Sequence, residues 1–385
     1  MADPLEESSL HRALVMANQL QTLPPSLVVS TFVIDSALVA IFWLERGVFS
    51  SALIVGLGVF VASLLNWESL RRLPQEGRSF GPDQPTALAL GAVLALVAAL
   101  LGLLYVSTAL TLIVLLLISA GAYYATWIEP FNVTLTRERL KSTAPNADVC
   151  LRILHLSDLH VERLSPRERR LNALIASLQP DLIVFSGDFV NLSYTNDSQA
   201  KKDIRTIIGA WQAPLGVYCV PGTPVVEPLT KVLEFVEGLD NLQLLANRWV
   251  TVKTGCGALH LLGLITTHDL KTDRQALATM MESAPSEAGL KLLLVHSPDL
   301  APEASRAGFD LYVCGHTHGG QIRLPLIGAL ASSSQYGKRF IMGRYQVGQM
   351  TLYTSRGLGM EGLGAPRARL FCPPEVILWE IERER

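Results

Sequence analysis

Long apolar runs dominate the first third of the chain. Leu27 to Leu44 contain a single charged residue, Asp35, and a second apolar run extends from Val48 to Trp67. Gln84 to Ile128 contain no charged residue, which is about twice the roughly 20 residues that one bilayer crossing needs. A break at 105–108 would divide this run into two spans. The pattern predicts an N-terminal segment, 1–26, and a transmembrane domain of about four helices, 27–128.

Beyond a polar connector, 129–150, the pattern changes to short apolar runs rich in β-branched residues. Most have about 4–7 residues and end at Gly, Asp, His or Pro, which favours buried strands. Helical stretches such as Glu168–Ser177 and Leu229–Glu237 lie between some of them, so we predict a layered α/β domain at 151–385. The predicted strands are Arg152–Leu156, Asp181–Phe185, Gly216–Val220, Leu259–Leu264, Lys291–Val295, Asp310–Val313, Met350–Thr354 and Glu375–Ile381.

The composition agrees with a membrane protein. Charged residues make up 17% of the 385 residues and hydrophobic residues 49%, whereas soluble domains average roughly 25% charged residues. The deficit lies in the apolar third, and a net charge of -2 argues against a nucleic-acid partner. No oligomeric state is predicted.

The distribution of basic residues predicts the orientation. With four spans, the N-terminus, the loop 68–83 and the α/β domain share one side, and the opposite loops offer only Arg46. The positive-inside rule then places the α/β domain in the cytoplasm, as part of a multi-pass protein of the cell (inner) membrane. Basic residues on the shared side are Arg12, Arg71, Arg72, Arg78, Arg137, Arg139 and Lys141.

The cysteines are expected to be reduced. There are five, an odd number, and none has the CxxC spacing of a redox or metal motif. Reduced cysteines agree with a cytoplasmic domain.

Polar residues follow four of the predicted strands. Asp158 and His160 follow the first, Asp188 the second and His296 a later one; the motif 315–318 (GHTH) follows the next. Ligands of open α/β sheets gather at the carboxyl ends of strands. Carboxylates mixed with imidazoles suit manganese, iron or zinc, and two such ions sharing a carboxylate can clamp a phosphoester during hydrolysis. Any single pair is commonly a turn, but four clusters in order favour a metal site.

These motifs resemble the calcineurin-like metallophosphoesterase superfamily. The similarity extends from Arg152 to the C-terminus and is greatest to the membrane-tethered bacterial branch, whose last motif, GHTHGGQ, stands here at 315–321, followed by 322–325 (IRLP). The resemblance implies a four-layer αββα sandwich with two central sheets flanked by helices. It also implies hydrolysis by a metal-bound hydroxide that attacks phosphorus in line.

The resemblance further implies a ligand set for two divalent ions of manganese, iron or zinc. Asp158, His160, Asp188 and His318 would hold the first ion. Asp188 would bridge to a second ion held by His296 and His316, which makes these last three the residues that activate the hydroxide.

One motif departs from the family. The family has Gly-Asn-His followed by Asp or Glu, whereas this chain has Gly222, Thr223, Pro224 and Val225. Thr223 is a weak candidate ligand, and Pro224 cannot do acid–base chemistry. A lost general acid costs about 10²–10⁴-fold in rate, least for good leaving groups. Downstream, His268 is either a substitute acid or a surface-loop histidine.

The leading hypothesis is a membrane-anchored binuclear-metal phosphoesterase that cleaves phosphoester or pyrophosphate bonds in a phosphorylated small molecule or a lipid-linked substrate. The alternative, motivated by Thr223 and Pro224, is a catalytically impaired protein with a regulatory or binding role. Metal content measured together with turnover separates the two. A transporter has less support, because a small bundle without a broken-helix repeat offers no transport path.

Overall fold

A computed structural model describes residues 9–142, 149–255 and 257–383. The chain divides into two compact units. The helical unit comprises Ser9–Ile128 together with Glu361–Ala368. The α/β unit comprises the described residues of 129–360 and 369–383.

The helical unit contains four helices that are long and apolar enough to cross a membrane. The expected break is confirmed, because one apolar helix ends at Leu103 and the next begins at Thr108. Many large apolar side chains on these helices are exposed, as in helices that face lipid. The helices are α1 (Ser9–Gln19), α2 (Pro25–Leu44), α3 (Phe49–Arg72), α4 (Asp83–Leu103) and α5 (Thr108–Tyr123).

Two indole N–H groups inside the helical unit have hydrogen-bond partners on a neighbouring helix. The Trp43 indole N–H donates to the Ala98 carbonyl at 3.0 Å. The Trp67 indole N–H donates to the Asp83 carboxylate at 2.6 Å. Such bonds fix neighbouring helices where water is absent.

The α/β unit contains two six-stranded sheets. The first sheet has the order β1-β14-β2-β3-β4-β5, and the second has the order β12-β13-β9-β8-β7-β6. Strands β2 to β5 are parallel, as are β7, β8, β9 and β13. The strands are β1 (Thr134–Ser142), β2 (Val149–Leu156), β3 (Leu182–Phe185), β4 (Val217–Cys219), β5 (Leu242–Leu244), β6 (Arg248–Thr254), β7 (Gly257–Gly263), β8 (Gly289–Leu294), β9 (Leu311–Cys314), β10 (Arg323–Leu324), β11 (Gly328–Ala329), β12 (Gly343–Val347), β13 (Met350–Thr354) and β14 (Glu375–Arg383).

Three apolar cores separate four layers. The central core packs residues of both sheets together, such as Val184 and Leu292. Helices cover the outer face of the first sheet, where Leu171 and Ile204 pack, and the outer face of the second, where Leu277 packs. The predicted αββα sandwich is confirmed. The helices are α6 (Pro166–Leu178), α7 (Ser198–Gly209), α8 (Leu229–Val236), α9 (Leu270–Glu282) and α10 (Ala301–Arg306).

The segment predicted as a connector, 129–150, contains strand β1. This strand pairs in parallel with β14, beginning with Thr134 opposite Glu375. Its charged side chains are held by the partner strand, because Arg137 and Arg139 both pair with Glu380, at 3.2 and 3.5 Å. The charges that made the segment resemble a connector therefore belong to an edge strand.

The cysteine expectation holds for three residues and is wrong for a fourth. Cys219, Cys314 and Cys372 are free and buried. Cys150, at the start of β2, is disulfide-bonded. Cys256 lies outside the described residues.

Candidate metal centre

The candidate ligands lie at the carboxyl ends of four parallel strands. β2 leads into Asp158 and His160, and β3 leads into Asp188. In the second sheet, β8 leads to His296 and β9 leads into the motif 315–318. All six carboxylate and imidazole side chains predicted as ligands are buried. The two sheets therefore bring residues far apart in the sequence to one edge of the sandwich.

The first group consists of Asp158, His160 and His318. One ligand atom from each lies within 4.8 Å of the others. The Nε2 atoms of His160 and His318 are 2.9 Å apart, and His318 Nε2 is 3.7 Å from an Asp158 carboxylate oxygen. These nitrogens converge on a single point, as ligands of one ion do.

Asp188 lies between this group and the second. Its Oδ2 is 3.3 Å from His160 Nε2 and 3.1 Å from His296 Nε2. Ligand atoms of Asp158, Asp188 and His296 also lie within 4.8 Å of one another. The Asp188 carboxylate thus faces imidazoles from both sheets, which is the position of a bridging ligand.

His316 is close to the second group without forming part of it. Its ring centroid is 5.0 Å from that of His296, and its backbone N–H donates to Asp158 at 2.9 Å. His316 Nε2 is buried and has no hydrogen-bond partner among the described residues. Since buried polar atoms are normally paired, this nitrogen is suited to binding a metal ion.

Thr223 occupies the place where the family has asparagine. Its hydroxyl is 3.3 Å from Asp188 Oδ2 and 3.1 Å from His296 Nε2, and its backbone N–H donates to Asp188 Oδ1 at 2.6 Å. The loop is therefore retained around the centre although its side chains differ. Pro224 supplies no proton donor.

Two glycines permit the close approach of the loops. A Cβ atom on Gly222 would lie 2.0 Å from the Asp188 carboxylate. One on Gly315 would lie 1.8 Å from the Ser157 hydroxyl. No other residue fits at either position without moving a candidate ligand or its neighbour.

Five of the six candidate ligands, all except His296, share an unusual backbone conformation. A positive φ is uncommon for residues other than glycine, and such residues concentrate at functional sites. Here the φ values of six buried site residues lie between 42° and 71°, namely Asp158, His160, Asp188, His268, His316 and His318.

Electrostatics leave the imidazoles in two different states. Burial lowers the pKa of His316 and of His318 well below the ordinary value, and neighbouring histidines add to the effect. Both are therefore neutral at pH 7, with a lone pair available for a metal. Burial also acts to lower the pKa of His296, but the charge and hydrogen bond of Asp188, together with the Asp158 charge, outweigh it and raise the pKa to about 9.

Neighbouring residues fix the ligands. His296 Nδ1 donates to the Ser186 carbonyl at 2.8 Å, which directs Nε2 toward Asp188. The Ser157 hydroxyl donates to the Asp158 carboxylate and accepts from the Ser186 hydroxyl at 2.6 Å. This network holds both carboxylate-bearing loops in one arrangement.

Glu227 is a functional residue that the sequence analysis missed. Its buried carboxylate accepts backbone N–H bonds from Asp188, Phe189 and Gly222 at 2.9, 2.7 and 2.8 Å. Burial and then the Asp188 charge raise its pKa to about 8. The sequence did contain a signal for this residue. Val225 stands where the family has an acidic residue, and Glu227 is an acidic residue two positions further along the chain.

Arg369 was also missed. Its guanidinium is fully buried and donates to the carbonyls of Gly359 and Cys372, at 2.6 and 3.0 Å. Its Nη2 lies 3.4 Å from His318 Nδ1. Nothing in the local sequence distinguishes this arginine from surface arginines.

His268 lies beside the second group. Only 5% of its surface is exposed, and its ring centroid is 4.5 Å from that of His316. The alternative that it is a surface-loop histidine is therefore wrong.

The donor set fits divalent metal ions. The clustered carboxylates and neutral imidazoles match the preference of manganese, iron and zinc. The buried His316 Nε2, which has no hydrogen-bond partner among the described residues, is a further nitrogen donor available to an ion. Without ions, such buried charges would be paired poorly.

Comparisons with known proteins agree with this site. The calcineurin-like phosphoesterase family profile matches residues 151–320. Phosphodiesterase YaeI of Escherichia coli K12 is 31% identical over 268 residues, which cover 68% of this chain and 93% of that protein. Metallophosphoesterase YkuE of Bacillus subtilis 168 is 28% identical, over 69% of this chain and 92% of that protein. UDP-2,3-diacylglucosamine pyrophosphatase LpxG of Chlamydia muridarum is 26% identical, over 66% of this chain and 91% of that protein. The chain belongs to the calcineurin-like metallophosphoesterase family, whose members hydrolyse phosphoester bonds.

Proposed function

We propose that the chain is a membrane-anchored, binuclear-metal phosphoesterase that cleaves a pyrophosphate or activated phosphodiester bond in a lipid-linked substrate. The observation that carries the proposal is the position of Asp188, whose Oδ2 lies 3.3 Å from His160 Nε2 and 3.1 Å from His296 Nε2. A carboxylate shared between two imidazole groups is the arrangement that a two-metal clamp requires.

The proposed ligands divide by ion. Asp158, His160 and His318 would hold the first ion and His296 and His316 the second, with Asp188 shared between them. When bound, the two ions supply Lewis acidity and an activated water for attack on phosphorus.

The protein's own residues contribute by holding the proposed ligands in position and by keeping imidazoles neutral. Buried neutral imidazoles such as His318 keep their lone pairs directed into the site. The Thr223 N–H and the Glu227 network hold the Asp188 loop, so the bridging carboxylate cannot rotate away. A fixed arrangement of this kind needs little reorganisation during the reaction.

Pro224 determines which leaving groups are suitable. The family histidine that would protonate the leaving oxygen is replaced by a residue without a proton. A leaving phosphate or aryl oxide departs without prior protonation, whereas an alkoxide does not. We therefore infer a preference for pyrophosphate and activated diesters over alkyl diesters.

The lipid-linked substrate is inferred from two facts. Four helices of the chain are long and apolar enough to cross a bilayer, which would confine the site to a membrane surface. One relative, LpxG, is named as a pyrophosphatase of UDP-2,3-diacylglucosamine, a lipid-linked diphosphate. A tethered active site gains most from substrates that share its membrane.

We place the α/β unit on the cytoplasmic side of the cell membrane because of the positive-inside balance. The disulfide at Cys150 opposes this placement, since disulfides persist in oxidising compartments. Labelling of an introduced surface cysteine in intact and opened spheroplasts decides the side. Labelling in intact spheroplasts would overturn the cytoplasmic placement.

A substrate panel tests the activity. The purified chain in detergent should release product from an aryl phosphodiester and from a lipid-linked diphosphate in mixed micelles, with manganese present. His316→Ala should remove this turnover, and Asp240→Asn, at an exposed position, should not. Equal product release by wild type and His316→Ala would refute the proposal.

A non-catalytic role is the second candidate, and Thr223 with Pro224 favours it. Retention of all six carboxylate and imidazole positions in one buried cluster favours the enzyme. Two bound ions with turnover support the enzyme, whereas one ion without turnover on any member of the panel supports the binding protein.

A further inference from the structure

The second half of the centre has one strong protein ligand fewer in this chain than in the family pattern. The family asparagine is Thr223, and a neutral hydroxyl is a weaker ligand than an amide carbonyl. The neighbouring Pro224 offers no side-chain ligand. Besides the shared Asp188 and the weak hydroxyl of Thr223, the candidate ligands on this side of the centre are His296 and His316.

His268 supplies a further imidazole at the same place. Its ring centroid is 4.5 Å from that of His316 and 6.5 Å from that of His296. The three rings come from three different loops, which follow β7, β8 and β9 in the second sheet. Histidines on adjacent strand ends are placed as ligands of a single ion are.

Two nitrogens in this group are buried and unpaired. Neither His268 Nε2 nor His316 Nε2 has a hydrogen-bond partner among the described residues. A single buried nitrogen without a partner is already unusual. Two such nitrogens on neighbouring rings indicate that both bind the same partner. Burial, with the nearby His296 adding to it, lowers the pKa of His268 to about 3, so its imidazole is neutral and has a lone pair.

The loop that carries His268 is held by bonds that do not involve the imidazole. Asp273, on α9, accepts the Thr267 N–H at 2.8 Å. The Gln335 side-chain amide donates to the His268 carbonyl at 2.8 Å. His268 also has the left-handed backbone of the proposed ligands, with φ of 59°. The chain thus maintains a strained conformation that turns this ring inward.

We propose that His268 is a ligand of the second metal ion, in place of the amide that the family motif provides at the position of Thr223. The proposal rests on the two-metal function argued above and adds to it a ligand set specific to this chain, namely Asp188, His296, His316 and His268.

Metal binding by His268→Gln is the principal test. The full chain in detergent is equilibrated with manganese, and bound metal is counted by mass spectrometry while electron paramagnetic resonance reports the coupling between the ions. We expect two coupled ions in wild type and about one in the variant, with the dissociation constant of the weaker site raised at least about tenfold. His260→Gln is the matched control, because His260 is a buried histidine whose two ring nitrogens are hydrogen-bonded away from the centre.

Two further variants keep the test independent of folding. His268→Cys with cobalt should give a thiolate-to-cobalt charge-transfer band that His260→Cys lacks. Adding Thr223→Asn to His268→Gln should restore the second ion, because an amide returns to the family position.

Separate results address the ligand role and the proposed function. Two coupled ions in both His268→Gln and His268→Ala, the second of which has no side-chain donor, with affinity within threefold of wild type would overturn the ligand role, even if turnover fell. Fewer than two ions in wild type would overturn it as well. Two ions in wild type without turnover on any substrate would refute the proposed function and leave the ligand role of His268 standing.

Discussion

The two halves of the proposed metal centre follow the family pattern to different degrees. In the first half, Asp158, His160 and His318 stand in their expected motifs, and Ser157 donates to Asp158. In the second half, His296 and His316 are kept while the asparagine and histidine of the third motif are Thr223 and Pro224. Asp188 contacts imidazoles of both halves. In the proposed centre, one half therefore differs from the family in its ligands while Asp188 contacts both halves.

The largest expected effect comes from the residue that the halves share. Asp188→Asn replaces the bridging carboxylate by a neutral amide, and we expect turnover of an aryl phosphodiester to fall by about 10³-fold or more. Metal counting should show loss from both halves. Asp240→Asn is the control, and loss of a single ion from Asp188→Asn would contradict a bridging role.

Restoring the family motif tests whether the altered half determines the leaving-group preference. Thr223→Asn combined with Pro224→His should raise turnover of an alkyl phosphodiester by about 10²-fold, because a proton donor returns beside the leaving group. Turnover of a diphosphate should rise much less, since its leaving group needs no proton. Thr223→Asn alone controls for the metal ligand. Equal gains on both substrates would show that Pro224 does not determine leaving-group preference.

The intact half is tested through the residue that orients its carboxylate. Ser157→Ala removes the hydroxyl that donates to Asp158, and we expect the affinity of the first ion to fall by about 10- to 100-fold. Calorimetric titration with manganese measures it, and Ser177→Ala, at an exposed position on α6, is the control. Weakening of the second ion alone would contradict the assignment of Asp158 to the first half.

The smallest expected effect is a difference between the two halves in how their metal affinity depends on pH. The pKa of His296 is raised to about 9, because the charge and hydrogen bond of Asp188, together with the Asp158 charge, outweigh burial. His296 is therefore protonated below that pH, and an ion must displace the proton. The affinity of the second site should rise about tenfold per pH unit up to pH 9 and then level off.

The first half should respond less to pH. Burial lowers the pKa of His318 well below its ordinary value, so that ligand is already neutral at pH 7. Calorimetry in two buffers of different ionisation enthalpy counts the released protons. Equal proton release from both halves would contradict the difference between the two histidines.

Most of the fold could be predicted from local patterns. The apolar runs predict the four long helices, and the β-branched runs predict the eight strands that build the sheet centres. Strand β1 could not be predicted, because it is charged and its partner β14 lies more than 230 residues away along the chain. Charged edge strands are recognised only through such non-local pairing.

The site was predictable where the chemistry follows a strand end directly. Asp158, Asp188 and His316 needed only the motifs and the rule that strand ends converge. Glu227 and Arg369 act through backbone groups of distant loops, which no local pattern records. For His268, the sequence left open two alternatives, and burial excludes the surface-loop alternative.

The left-handed backbone that five of the six candidate ligands share has a consequence for thermal stability. Outside glycine, this conformation costs roughly 1–2 kcal/mol per residue, and whole domains are stable by only about 5–15 kcal/mol. Glycine at such positions would relieve the cost, but each replacement removes a donor atom. Selection for a higher melting temperature and selection for metal affinity therefore act in opposite directions at the same few residues.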